Sequence, residues 1–243
     1  VLGSNIFNTL AVLGICALIK PCPVEPKIVK GEYPMSGAVT VLFIILALTK
    51  LGSSESLYFS RFDGIILLAA FTAFLIFTVK KALGEEHNDD EEIKDLSMPK
   101  SIIMVILGIA GIIIGGNFVV NSASAIAASF GISETLIGLT IVAIGTSLPE
   151  LVTSVAAATK GHTDIAVGNV IGSNLFNILF VLGLSVTIHP VTIEMISVYD
   201  AVFVVIASIL VMIPCIRTRY ITRKWGIFYI VLYAAYMVYI IVR

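Results

Sequence analysis

The chain is 243 residues long, 58% hydrophobic and only 13% charged, with a net charge of −1. Its mean hydropathy is +1.04. A soluble domain carries about 25% charged residues, so a water-soluble enzyme, a nucleic-acid binder and a disordered chain are all excluded. The three cysteines, Cys16, Cys22 and Cys215, show no CxxC or paired spacing, which indicates neither a disulfide framework nor a zinc site. A multi-span membrane protein is the class that remains.

A membrane helix needs roughly 20 mostly apolar residues. In chain order the predicted spans are 1–19, 37–51, 64–83, 100–128, 134–159, 163–188, 195–215 and 223–242. The second is short. The fourth is long, and its C-terminal half (Asn117, Asn121, Ser122, Ser124) is polar enough that it is expected to face other helices. Eight spans alternate sides, so their connections sort by positive charge. One side collects Lys20, Lys27, Lys30, Lys80, Lys81, Lys94, Lys100, Lys160, Arg217, Arg219, Arg223 and Lys224, which makes 12 of the 15 basic residues. The other side has Lys50, Arg61 and Arg243. The first side is therefore assigned to the cytoplasm. No signal peptide is visible. The chain opens Val1-Leu2-Gly3-Ser4-Asn5, without an initiating Met and inside a motif, and is expected to be an N-terminally truncated piece of a longer protein.

That motif recurs. Residues 1–14 read VLGSNIFNTLAVLG and residues 170–183 read VIGSNLFNILFVLG, identical at ten of fourteen positions at an offset of 169, with Pro21 aligned to Pro190. Chance likeness between apolar helices matches Leu and Val; it does not match Gly, Ser and both Asn. The copies fall on the first and sixth spans, an odd number of crossings apart, and so run in opposite directions. Such an inverted-topology repeat is the usual construction of a secondary transporter, with its substrate site on broken helices near the midplane.

Of sixteen acidic residues, Asp63, Glu134, Asp164, Glu194 and Asp200 stand near span boundaries, where a carboxylate reaches water. Only Glu150 lies deep in an apolar span. A charge there costs about 2.5–3.5 kcal/mol on insertion scales and is rarely idle; the bland alternative is a neutral Glu tying helices together. Ala143, Thr146, Ser147, Glu150 and Ser154 share one helical face. Pro149 has no N–H to donate and its ring clashes with the Gly145 carbonyl, so the helix is expected to break there. Freed carbonyls inside a membrane must line a cavity or meet a ligand. Two hydroxyls, a carboxylate and loose carbonyls form an all-oxygen site suited to a hard cation. The next span carries Asn169, Ser173 and Asn177 at intervals of four, and a Gly168/Gly172 pair that would admit a neighbouring helix. Ser4 and Asn8 hold the matching places in the first copy. Interhelical hydrogen bonding is the alternative use of such a stripe, and Asn5 and Asn174 fit either.

GLTIVAIGTSLPELVTSVAAA (138–158) followed by DIAVGNVIGSNLFNILFVLG (164–183) resembles the second alpha-repeat of the cation/calcium exchanger superfamily, the sodium/calcium exchangers, and VLGSNIFNTLAVLG (1–14) resembles the end of the first. The resemblance implies an all-α integral membrane protein of the inverted-repeat antiporter fold, with eight of an expected ten helices present. Residues 1–83 would then be the remainder of the first repeat half, 84–99 an acidic cytoplasmic linker and 100–243 the second half. It further implies that a second acidic ligand lies in the absent segment. Glu150 resembles the central carboxylate shared by calcium and sodium; Thr146, Ser147 and the Ala143 carbonyl resemble flanking ligands. Ser173 and Ser4 resemble hydroxyl ligands, and Asn8 and Asn177 fill the paired amide or acid position. Potassium-cotransporting branches carry Asp where this chain has Asn177, which leans against potassium dependence, and GSNLFN favours the sodium-type bacterial branch.

The acidic run Glu85–Glu92 lacks the alternating acids and glycine of an EF-hand loop and is read as a solvated linker. The basic group from Arg217 to Lys224 is a topology signal. Tyr229, Tyr233, Tyr236 and Tyr239 suit packing and interfacial anchoring, and His162 and His189 have no assigned role. The resulting expectation is a secondary active antiporter exchanging Ca²⁺ for Na⁺ by alternating access, without a cofactor, monomeric when whole, in a bacterial or archaeal inner membrane. The alternatives are a Ca²⁺/H⁺ or other cation antiporter of the same fold and, against the inverted repeat, a cation channel. An intramembrane enzyme is excluded, because no HExxH, GxSG or intramembrane Asp pair is present.

Overall fold

The computed structural model describes residues 1–26, 28–49, 57–84, 97–132 and 137–242. The acidic run Glu85–Glu92, Glu134, and the Lys27, Lys50, Lys94 and Arg243 of the charge count lie outside them. Among the described residues seven helices are long and apolar enough to cross a membrane. They are α1 (Leu2–Ile19), α2 (Ile28–Leu48), α3 (Arg61–Gly84), α4 (Met98–Ser129), α7 (Thr163–Ile188), α8 (Met195–Arg217) and α9 (Arg223–Val242). The eighth expected span is in two pieces, α5 (Gly138–Val142 running on into Ala143–Gly145) and α6 (Leu148–Lys160). Pro149 stands in the first turn of α6 and has no N–H for the Gly145 carbonyl. Ser147 leaves the helix at φ −105°, ψ 7°, and its N–H reaches back only three residues, to the Ile144 carbonyl at 3.0 Å. The break predicted from Pro149 is therefore observed.

The second span begins at Ile28, well before the expected 37. Lys30, Glu32 and Pro34 depress the local hydropathy, but the span starts as a π-helical stretch (Ile28–Glu32) and Pro34 stands in the first turn of the α-helical part, Tyr33–Leu48, where Pro is tolerated. α6 ends where Gly161, at φ +96°, turns the chain: its N–H bonds the Ala158 carbonyl (3.1 Å) and that of His162 bonds Ala157 (2.9 Å). This left-handed C-terminal cap folds α6 and α7 into a tight hairpin.

The core is the crossing of α1 and α7. Their side chains Ile6, Leu10, Leu13, Leu175, Ile178 and Leu179 are all within 1% of full burial. Each crossing helix has one intimate partner, by equivalent contacts. A Cβ on Gly226 of α9 would lie 2.7 Å from the Gly14 carbonyl oxygen of α1; a Cβ on Gly64 of α3 would lie 2.7 Å from that of Gly183 of α7. Gly14 and Gly183 are the same position of the repeat, so α1–α9 and α7–α3 are two copies of one packing unit. Antiparallel strand clips close both ends: β1 (Cys22–Pro23) pairs with β4 (Tyr220–Ile221), and β2 (Leu57–Phe59) pairs with β3 (Val191–Ile193). Each clip joins two connections that eight alternating crossings put on the same side. The Arg223 guanidinium, donating to the Ile19 carbonyl at 3.3 Å, does likewise.

Three expectations need correction. No atom lies within 4 Å of where a Cβ would sit on Gly168 or Gly172, so that pair admits no neighbour among the described residues; the close helix approaches use Gly14, Gly226, Gly64 and Gly183 instead. Asn117 and Asn121 of α4 are exposed rather than turned to other helices, because α4 lies on the perimeter and packs mainly against α5 and α6. Asp63 and Asp200, expected to reach water, are 4% and 9% exposed. Ser60 explains the first, since its N–H and hydroxyl both donate to Asp63 Oδ2, at 2.8 and 2.7 Å.

These contacts predict opposite signs for one kind of substitution. Gly226→Ala and Gly64→Ala press a methyl onto backbone oxygen and should each cost about 1–3 kcal/mol. Gly168→Ala and Gly172→Ala meet nothing among the described residues and should be neutral, or gain up to about 1 kcal/mol of helix propensity. Thermal unfolding in detergent separates the two pairs.

Candidate ion-binding site

α1 and α7 both widen into a π-helical turn where the polar residues sit, at Phe7–Val12 and Asn177–Leu182. Such bulges re-aim side chains and recur at functional sites. Across the crossing, Asn8 Nδ2 donates to Asn174 Oδ1 at 3.3 Å and Asn177 Nδ2 donates to Asn5 Oδ1 at 3.0 Å. The repeat offset of 169 carries the first bond onto the second. Asn174 Nδ2 also donates to Thr9 Oγ1 (2.8 Å), and Asn5 Nδ2 to the Asn174 carbonyl (3.2 Å). An amide both donates and accepts, so the four are linked in one clasp, in the order Asn8, Asn174, Asn5, Asn177. Asn5 and Asn174, which the sequence left open, both take part in these ties between the two halves.

Two oxygen clusters flank the clasp. In one, the Thr146 hydroxyl donates to the Ala143 carbonyl (2.9 Å) and lies 3.0 Å from Ser4 Oγ. In the other, Ser173 Oγ donates to Glu150 Oε1 (2.8 Å) and receives Asn8 Nδ2 (3.4 Å). Glu150 stands in the first turn of α6, beside the break. Its Oε2 and the Oδ1 of Asn8 are both buried without a hydrogen-bond partner. A buried acceptor left unmade costs about 1–3 kcal/mol, and two electron-rich oxygens in that condition suit a cation. Among the described residues no three His, Cys, Asp or Glu side chains converge, so the donor set here is one carboxylate with hydroxyl, amide and carbonyl oxygens, the preference of hard cations.

Of the eight sequence-predicted ligands, the structure brings together Ser4, Thr146 and Ala143, and separately Glu150, Ser173 and Asn8. Ser147 is buried at the break. Asn177 is not in the Glu150 cluster; its amide is spent on Asn5. The helical face read from 143 to 154 is divided by the break, and Ser154 instead receives Asn169 Nδ2 (3.0 Å). Asn169 also reaches Thr153 Oγ1 (3.0 Å) and the Glu150 carbonyl (3.3 Å), pinning α7 to α6. Thr9 was missed in sequence because its counterpart is Ile178 and no repeat signal marks it.

An inverted pair of packed halves that gathers one carboxylate, hydroxyls and amides inside the membrane defines a multi-pass secondary transporter. The family model for sodium/calcium exchanger proteins matches residues 1–80 and 100–242, and the chain belongs to that family, one of membrane transporters and not of enzymes. The chain is 41% identical over 201 residues to the putative antiporter CaxA of Alkalimonas amylolytica, covering 79% of this chain and 60% of that protein. It is 31% identical over a 272-residue alignment to the sodium/calcium exchanger MaX1 of Methanosarcina acetivorans, covering 98% and 78%. Its fold superposes on the sodium-calcium exchanger NCX_Mj with a TM-score of 0.77 at 32% identity, over 96% of this chain and 73% of that one. The chain thus spans about 60% of the length of CaxA and of the inner membrane protein YrbG of Escherichia coli.

The clasp yields a graded prediction. Asn174→Ala removes the acceptor of Asn8 and the donor to Thr9 and should cost about 1–3 kcal/mol. Asn177→Ala removes one bond at a half-buried position and should cost less, near the ~0.6 kcal/mol typical of an interhelical bond in membranes. Denaturation in detergent micelles gives both values.

Proposed function

We propose that the whole protein is an antiporter exchanging Ca²⁺ for Na⁺ across the membrane by alternating access. The observation that carries this reading is the pair of buried, unpartnered oxygens, Glu150 Oε2 and Asn8 Oδ1, beside a helix break. Ca²⁺ and Na⁺ are substrates that compete for the same oxygens: Glu150 offsets one unit of their charge, Ser173 and Asn8 stand around it, and Ser4, Thr146 and the Ala143 carbonyl form a second station one turn away. Ser147 lies at the break between them, and Asn177 sits on the opposite arm of the clasp. A carboxylate without a cation is an uncompensated charge in a low-dielectric path, which suppresses passage of an empty or half-filled carrier and so couples the two fluxes. The names of the similar proteins, a sodium/calcium exchanger and NCX_Mj among them, support calcium and sodium as the pair. An amide at Asn177, where potassium-cotransporting relatives have an acid, supports sodium coupling without potassium.

The test is calcium uptake into proteoliposomes of the whole protein loaded with sodium and diluted into sodium-free buffer. Uptake should require internal sodium and should not be driven by a proton gradient alone. Glu150→Gln should abolish it, a loss of at least about 100-fold, while the protein still folds, because the amide keeps the shape and removes the charge. Uptake driven only by protons would move the protein to calcium/proton exchange, and calcium flux indifferent to every counter-ion would make it a channel.

A further inference from the structure

Glu150 is held at two ends by one polar stripe of α7. Ser173 Oγ donates to its carboxylate at Oε1 (2.8 Å), and Asn169, a turn earlier on the same face, donates from Nδ2 to its backbone carbonyl (3.3 Å). The same amide nitrogen reaches Thr153 Oγ1 and Ser154 Oγ, each at 3.0 Å. Thr153 Oγ1 in turn donates to the Pro149 carbonyl at 2.8 Å and lies 3.1 Å from that of Glu150. Ser154 is fully buried. One half-buried amide on α7 thus gathers the oxygens of the opening turns of α6, next to the break.

That brace counts for more at a helix start than within a helix. The first N–H groups of a helix have no partner in it, and the first helical bond of α6 runs from the Leu151 N–H to the Ser147 carbonyl (3.0 Å). The peptide N–H of Glu150 is therefore not held by α6. Its side chain has three torsions, and Oε2 has no hydrogen-bond partner to fix it. Where that oxygen stands follows from the two anchors, Ser173 at the carboxylate and Asn169 at the carbonyl. We propose that Asn169 is a positioning residue of the ion site: it sets the height of Glu150 against α7, and so the place of Oε2, without touching the ion. The inference rests on the reading of Glu150 as the ion-binding carboxylate. Ca²⁺ takes its oxygens at about 2.3–2.6 Å, so a carboxylate free to drift binds it more weakly and discriminates less against a larger divalent ion.

The experiment measures sodium-driven uptake by the whole protein in liposomes, recording half-saturating calcium, maximal rate and the preference for Ca²⁺ over Ba²⁺. Asn169→Ala should raise half-saturating calcium about tenfold, as loss of a group that orients a metal ligand does, and should lower the preference, with the maximal rate little changed. Thr153→Val keeps the shape and removes one of the hydroxyls that Asn169 holds, so it should shift both readings the same way by less. Thr153→Ser should match the wild type. Thr153→Val added to Asn169→Ala should bring no further change, because both act through the same bonds. A lost tie between helices would by itself lower the melting temperature and the amount of active protein and leave half-saturation and ion preference alone. That result, wild-type half-saturation in Asn169→Ala, or fully additive effects of the two substitutions would each overturn the proposal. Wild-type transport by Glu150→Gln, run alongside, would overturn the ion-site reading and this inference with it.

Discussion

Everything in this molecule depends on one requirement of a membrane interior: each polar group carried in must find a partner there. Four asparagines meet it at the crossing of α1 and α7. Asn8 donates to Asn174 and Asn177 donates to Asn5 across the repeat, and the two halves are held in register without a charge. The hydroxyls and the carboxylate are then free to be incompletely satisfied. Glu150 Oε2 and Asn8 Oδ1 remain without a hydrogen-bond partner beside this frame.

The inverted repeat shapes more than this centre. Gly14 against Gly226 and Gly183 against Gly64 bring backbone to backbone at equivalent places, and the two strand clips cap opposite ends. α4 stands apart, with none of its most apolar stretch buried, whereas α1 buries 72% of its own. The molecule thus has a tightly tied crossing with paired outer helices and a loosely attached perimeter.

Much of this is readable from the residues. Ten matches in fourteen positions expose the repeat, Glu150 stands out because acids are costly in apolar spans, and Pro149 marks the break through chemistry local to its own turn. What stays hidden is relational. Gly168 and Gly172 have the small-residue spacing of a helix contact but meet no other described residue, while Gly64 and Gly226, with no second glycine four residues away, make the close approaches. Asn5 and Asn174 are indistinguishable in sequence from their ligand-like neighbours, since only three-dimensional pairing decides which amides are spent on each other. Asp200 looks like a solvated boundary acid because sequence distance to a span end says nothing about the neighbouring helices that cover it. The start of α2 is hidden by Lys30 and Glu32, which lower hydropathy without stopping a helix.

The break before α6 also has an electrical side. A helix start collects the partial positive charge of its unpaired N–H groups, equivalent to about half an elementary charge, and Glu150 sits within the first turn of α6. The discontinuity therefore places a fixed, weak counter-charge beside Glu150, the one acid of this cluster among the described residues. When a cation departs, the carboxylate is left facing a dipole rather than bare hydrocarbon. On the proposed reading, the interruption that would attract ions would also lower the cost of releasing them.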